Sequence, residues 1–155
     1  MLVPKYQLKK ETLKKILDHP FFITYFDDMY ELQLKDLKVE YIWLIYVKDL
    51  FNSFSLNLLK GIKSHPLLKH SSLQLIIVSK EDIYNIKTIV KEYQFNYLFA
   101  SDLNLSFLKS FLAPFLSSNE YANYSLLFSK DLFFQCLHSF LSHDVKSLQY
   151  LELPL

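Results

Sequence analysis

The chain has 155 residues, 51% of them apolar and 17% aromatic, and its 17 basic side chains are nearly cancelled by 16 acidic ones. It is sized for one domain that buries roughly 68–70% of its unfolded surface, and its charge balance excludes a polyelectrolyte partner of nucleic acid. Every basic residue is a lysine and the only glycine is Gly61, so neither the planar two-pronged arginine contact nor a glycine-rich phosphate loop is available.

Lys5 to Asp18 places Leu13, Ile16 and Leu17 on one face with lysines opposite, which predicts an amphipathic helix stopped near His19-Pro20. FFITYF (21–26) and YELQL (30–34), separated by Asp27-Asp28, predict a β-hairpin. EYIWLIYV (40–47) is apolar without alternation, as a strand covered on both faces should be. Asn52 and Ser53 can cap a following helix with Phe54, Leu58 and Ile62 on one stripe, ended or bent at Pro66. LQLIIVS (73–79) is a second buried strand. Ser79-Lys80-Glu81-Asp82 has the look of a capping box before a helix carrying Ile83, Ile86, Val90 and Tyr93.

NYLFA (96–100) reads as a short strand, and Ser101-Asp102 as the start of a helix with Leu105, Leu108, Phe111 and Leu112, ended near Pro114. YSLLFS (124–129) and LFFQCLH (132–138) flank Lys130-Asp131 as a tight hairpin, and Ser142 can cap a last helix with Val145, Leu148 and Leu151. Parallel crossovers followed by an antiparallel hairpin make an α/β mixed sheet flanked by helices, thioredoxin-like in order. The division expected is an N-terminal helical extension, residues 1–20, before a domain of residues 21–155.

From about Phe21 to Leu151, five strings in order resemble the peroxiredoxins, above all the small bacterioferritin-comigratory type of bacteria. YELQLKDLK is similar to the hairpin before that family's first core strand, IYVKDLFNSF to its strand and peroxidatic turn, and LQLIIVSKED to its second core strand and helix start. NYLFASDLNLSFLKSF and YSLLFSKDLFF resemble its inserted helix and closing hairpin. The resemblance implies a Pro-x-x-x-Thr-x-x-Cys turn in which a thiolate at a helix N-terminus attacks peroxide and an arginine lowers its pKa. With Tyr46 aligned before the proline, Val47 takes the proline position, Phe51 the threonine and Phe54 the cysteine. Asn123 takes the arginine position and Leu59 that of a resolving cysteine. No catalytic residue of the family survives, so thiol peroxidase activity is not expected, and Phe54 is expected to fill the vacated place as a core or pocket aromatic.

The remaining candidates are thin. Val47, Lys48, Phe51, Ser53, Phe54 and Asn123 make up a vestigial pocket at the carboxyl edge of the sheet, where α/β folds bind ligands. Ser53 as a nucleophile lacks a base, and Lys48 with Asp49 reads first as a solvated pair. The single Cys136 excludes an intramolecular disulfide. Cys136 and His138 would share a strand face, but His65 with His70 and His138 with His143 are not at helical metal spacing, so no metal and no cofactor is expected. YIWLIYV (41–47), the longest uncharged apolar run, is far short of the roughly 18–20 residues that span a bilayer, and MLVPKYQLKK has no signal-peptide core. The expectation is a cytoplasmic protein with no membrane span and no nucleic-acid partner. Fourteen Phe and eleven Tyr point to association, with itself or with another protein; the rival is a small-molecule binder or non-thiol enzyme reusing residues 48–54.

Overall fold

The computed structural model describes residues 7–112, 123–141 and 145–154. In chain order it contains α1 (Lys10–Asp18), β1 (Pro20–Tyr25), β2 (Asp28–Gln33), β3 (Tyr41–Tyr46), α2 (Ser53–Ile62), β4 (Leu73–Ser79), α3 (Ile83–Tyr93), β5 (Leu98–Ser101), β6 (Asn123–Ser129) and β7 (Gln135–Phe140). Short helical turns lie at Leu34–Asp36, Pro66–Lys69, Leu108–Leu112 and Val145–Leu148.

The two unbroken apolar runs form the middle of the sheet because they have no polar face to show to water. β3 and β4 pair in parallel, Tyr41 opposite Leu73 through Tyr46 opposite Val78. β5 continues in parallel beside β4, whereas β6 lies antiparallel on the other side of β3 and carries β7 as its hairpin partner. β1 runs antiparallel to β5 and to β2, which gives the seven-stranded order β2-β1-β5-β4-β3-β6-β7. This is a mixed α/β sheet with β2 and β7 at its edges.

Alternation along the strands divides the core into two layers. One contains Trp43, Ile45 and Val47 of the central strand with Leu58, Leu59, Ile86, Val90, Phe99 and Leu148. The other contains Ile42, Leu44 and Tyr46 with Leu13, Ile16, Phe21, Ile76 and Phe107. Burying a large aliphatic or aromatic side chain contributes about 1.5–3 kcal/mol, so the two layers carry most of the fold's stability.

The first helix starts at Lys10 rather than Lys5, and Leu13, Ile16 and Leu17 are its buried residues, as its spacing requires. Its approach is fastened from the far end of the chain: the Gln135 side-chain amide donates to the Leu8 carbonyl at 2.7 Å and its oxygen accepts the Leu8 N–H at 2.8 Å. The Lys10 ammonium lies 4.6 Å from the centre of the Phe133 ring.

Five local expectations change. Asn52 alone caps α2, accepting the Ser55 N–H at 2.8 Å, while Ser53 is the first helical residue. Asp82 caps α3 by accepting the Asn85 N–H at 2.9 Å, so Ser79 is not the cap. The helix after Asp102 opens only near Ser106, with Leu105 at positive φ ahead of it. β7 begins at Gln135, because Leu132 turns the chain at φ 70° and Asp131 ties the corner by accepting the Phe133 N–H at 3.1 Å. In place of a last α-helix there is one short turn, Val145–Leu148, with Leu148 and Leu151 buried; Pro114 and Ser142 lie outside the described residues. No helix among the described residues is long and apolar enough to cross a membrane.

Candidate functional site

β3 ends at Tyr46, and the next six residues, 47–52, make the turn into α2. Val47 is fully buried and prolongs the pairing with β4 by donating its N–H to the Val78 carbonyl at 2.9 Å. The Lys48 N–H goes to Asn123 Oδ1 at 3.1 Å, and the Lys48 ammonium lies 5.7 Å from the centre of the Tyr124 ring. Asn123, itself buried at the start of β6, thereby staples the turn to the sheet. The Asp49 carboxylate accepts the Phe51 N–H at 3.0 Å, its backbone carbonyl accepts the Ser55 hydroxyl, and Leu50 plugs the core beneath.

The six residues expected at a vestigial pocket therefore separate. Val47 and Asn123 are buried, Lys48 is half-buried, and Phe51, Ser53 and Phe54 face outward. Phe54 is 58% exposed and Phe51 50%, so of the core or pocket place expected for Phe54 the core is excluded. The buried positions of α2 are Ser55, Leu58, Leu59 and Ile62, so the anticipated stripe keeps Leu58 and Ile62 and loses Phe54. Ser55 wins the inner place because its hydroxyl and N–H are both satisfied locally, by Asp49 and Asn52.

The electrostatics of the turn run against an anionic nucleophile. Two of the backbone N–H groups there are already taken by the protein's own Asp49 and Asn52, and a helix N-terminus is useful to a thiolate or an anion only through such groups. Burial raises the Glu81 carboxyl above its usual value, and nearby Asp49 adds to the rise while Lys80 opposes it. Cys136 lies across the sheet on β7, where burial pushes its thiol up rather than down. A protonated thiol is a poor nucleophile.

Around this turn, at the carboxyl edge of β3, β4 and β5, large apolar side chains reach solvent. Tyr84 at the start of α3 is 69% exposed and Leu103 after β5 is 61% exposed, and Phe51 and Phe54 follow β3 at the same edge. The loops that carry them are bound to one another: Ser101 donates its hydroxyl to the Glu81 carbonyl, and Asp102 its N–H to the Ser79 carbonyl, both at 2.6 Å. Two cavities of about 410 Å³ lie elsewhere. One is between the β1–β2 turn and the end of α3, lined by Phe26, Asp27, Lys91 and Gln94; the other is at the end of α2, lined by Ser64, His65, Leu148 and Gln149.

Two buried polar groups were not legible as such from sequence. The Asp102 carboxyl accepts the Tyr46 hydroxyl at 2.7 Å and the N–H groups of Phe107 and Leu108 at 2.9 and 3.1 Å. Burial, reinforced by that Asp102 bond, raises the Tyr46 phenol well above its usual range. His138 is the opposite case, a buried imidazole with neither nitrogen hydrogen-bonded. Ser-Asp before an apolar run did signal a helix start for the first, whereas a histidine in a strand carries no signal of whether it finds a partner. No group of three or more metal-ligating side chains occurs among the described residues.

No family model and no curated protein matches this sequence. The solved structures do match in fold. Peroxiredoxin Q of Xanthomonas campestris is 12% identical, with 92% of this chain and 89% of that one covered at a TM-score of 0.68. A cysteine-to-serine mutant of PrxQ from Xylella fastidiosa is 11% identical, with 96% and 94% covered at 0.69. AhpC of Enterococcus faecalis is 12% identical, with 91% and 81% covered at 0.64. The chain has the peroxiredoxin type of thioredoxin-like fold, as the order of its elements implied.

Proposed function

We propose that this is a peroxiredoxin-like domain without thiol chemistry, which works in the cytoplasm by associating with another protein or with a second copy of itself. The observation that carries the proposal is the turn after β3. It holds an outward-facing Phe54 where a nucleophile would be needed, and its amides are engaged by Asn52 and Asp49. Phenylalanine has neither a proton to lose nor a lone pair to attack with. The exposure of Phe51, Phe54, Tyr84 and Leu103, all following strands at one edge of the sheet, favours a contact surface, since aromatic side chains are enriched at protein interfaces. Reuse of residues 48–54 as a small-molecule pocket is the weaker reading, because Phe51, Ser53 and Phe54 of that turn are exposed. Residues 1–20 are read as an addition to a domain of residues 21–155, one that is packed in through α1.

The test combines a steady-state peroxidase assay, with thioredoxin or dithiothreitol as reductant, and sedimentation with affinity capture from the native host. Negligible turnover is expected, together with a dimer or a captured partner lost in Phe51→Ser/Tyr84→Ser. Robust peroxide turnover abolished by Cys136→Ser would overturn the redox half. A monodisperse monomer at high micromolar concentration that captures nothing would overturn the association half.

A further inference from the structure

At the edge of the sheet opposite the turn after β3, the β1–β2 turn and the end of α3 flank a cavity of about 410 Å³, inside the size range of small-molecule sites. Its floor is apolar and preformed. Val90 and Phe95 are both buried in the core, and the Phe95 ring is fixed by Tyr97 and Phe99, with ring centres 5.5 and 5.7 Å away. Gln94 ends α3 in the left-handed region at φ 54°, and the Phe95 N–H then returns to the Val90 carbonyl at 3.1 Å, which ties the two floor residues together.

Phe26 lines the cavity from the β1–β2 turn. It too is left-handed, at φ 53°, a region that is costly for a phenylalanine, and it is 55% exposed, its ring centre 4.4 Å from that of Tyr25. The next residue supplies the polar side. Asp27 is held twice by α3: its carboxylate lies 3.0 Å from the Lys91 ammonium, and its carbonyl accepts from the Lys87 ammonium, one helical turn earlier, at 3.2 Å. Those two cations, Lys91 ahead of Lys87, keep the Asp27 carboxyl below its usual value. Two ammonium groups thus meet one carboxylate, a surplus of one positive charge. An ammonium has three donors, and Lys91, on the exposed side of α3, gives one of them to Asp27.

Apolar walls with a surplus cation at the rim suit an anion carried on an apolar body. An uncharged ligand gains nothing from the surplus charge, and a bare anion leaves Phe26, Val90 and Phe95 without contact. We propose that this cavity binds a small aromatic monocarboxylate, its ring between Phe26 and the floor of Val90 and Phe95, and its carboxylate on the Lys91 ammonium with Lys87 adding to the attraction. Asp27 competes with such a ligand for Lys91, so removing its charge acts with the opposite sign to removing that of the lysine. The cavity shares no lining residue with the surface that carries Phe51 and Phe54.

The probe is 3-phenylpropionate, titrated into the whole protein by calorimetry and located by amide chemical shifts. Saturable binding with a Kd on the order of 0.1–1 mM is expected, the range open to a ligand of about a dozen atoms, with the shifts centred on Phe26, Asp27 and residues 90–95. The uncharged 3-phenylpropionamide should bind about 3- to 10-fold more weakly, as should the carboxylate to Lys91→Gln, while the affinity of that variant for the amide stays where it was. Asp27→Asn should tighten the carboxylate about 2- to 5-fold. Phe26→Asn, which keeps a residue tolerant of the left-handed turn, should weaken both ligands. All three positions are exposed, so the variants retain the fold, as circular dichroism checks. Absence of saturable binding below about 10 mM, equal affinity for the carboxylate and the amide, or a carboxylate affinity unchanged in Lys91→Gln would overturn the proposal.

Discussion

Asp102 and His138 lie on opposite faces of one sheet, 5% and 6% exposed. Asp102 takes the Tyr46 hydroxyl and two backbone N–H groups, binding β3 to the helical turn beyond β5, while His138 has no bond at all. A buried polar group fully supplied with partners fixes its surroundings, and one without partners is a cost that packing must carry. The same protein thus has one buried polar group that ties its elements together and one that packing alone accommodates.

The most severe way to break the contrast is Asp102→Ala, which strands the Tyr46 hydroxyl and the Phe107 and Leu108 amides. A loss of about 3–5 kcal/mol is expected in denaturant unfolding, each buried orphan costing about 1–3 kcal/mol. Smaller, and of opposite sign, is His138→Leu. The wild-type imidazole falls from 6.5 to about 4 on folding, so stability is complete above pH 6.5, declines as the unfolded chain binds protons first, and levels off below about 4. At 1.36 kcal/mol per pH unit that decline is about 3 kcal/mol for this group. His138→Leu should flatten this part of the acid limb and add about 1–2 kcal/mol at pH 7, by thermal and urea unfolding at stepped pH. The smallest effect, about 1 kcal/mol, is expected from Asn52→Ala, which removes the α2 cap and leaves both faces of the contrast as they are.

The strands were readable wherever burial on both sides left no ambiguity. LQLIIVS coincides with β4, and YIWLIY with β3. The start of β7 was not, because Leu132 and Phe133 have strand-like character but occupy a corner made by Asp131 and Ser129. At the turn after β3 the sequence revealed which chemistry is gone, and it misplaced Phe54. A period of four fits the stripe through Phe54 and the stripe through Ser55 nearly equally, and the choice was decided by hydrogen bonds from Ser55 to Asp49 and Asn52. The pairing of Tyr46 with Asp102 spans 56 residues, beyond the reach of any local pattern.

The side-chain clasp of Gln135 on Leu8 joins residues 127 apart in sequence. During vectorial synthesis at about 5–20 residues per second, roughly 6–25 seconds separate the two ends of that clasp. For that interval the apolar face of α1, with Leu13 and Ile16, has no anchored approach to the sheet, and β3 has no antiparallel neighbour until β6 emerges. Ribosome-stalled chains should therefore change from protease-sensitive to resistant only once β7 is free to close.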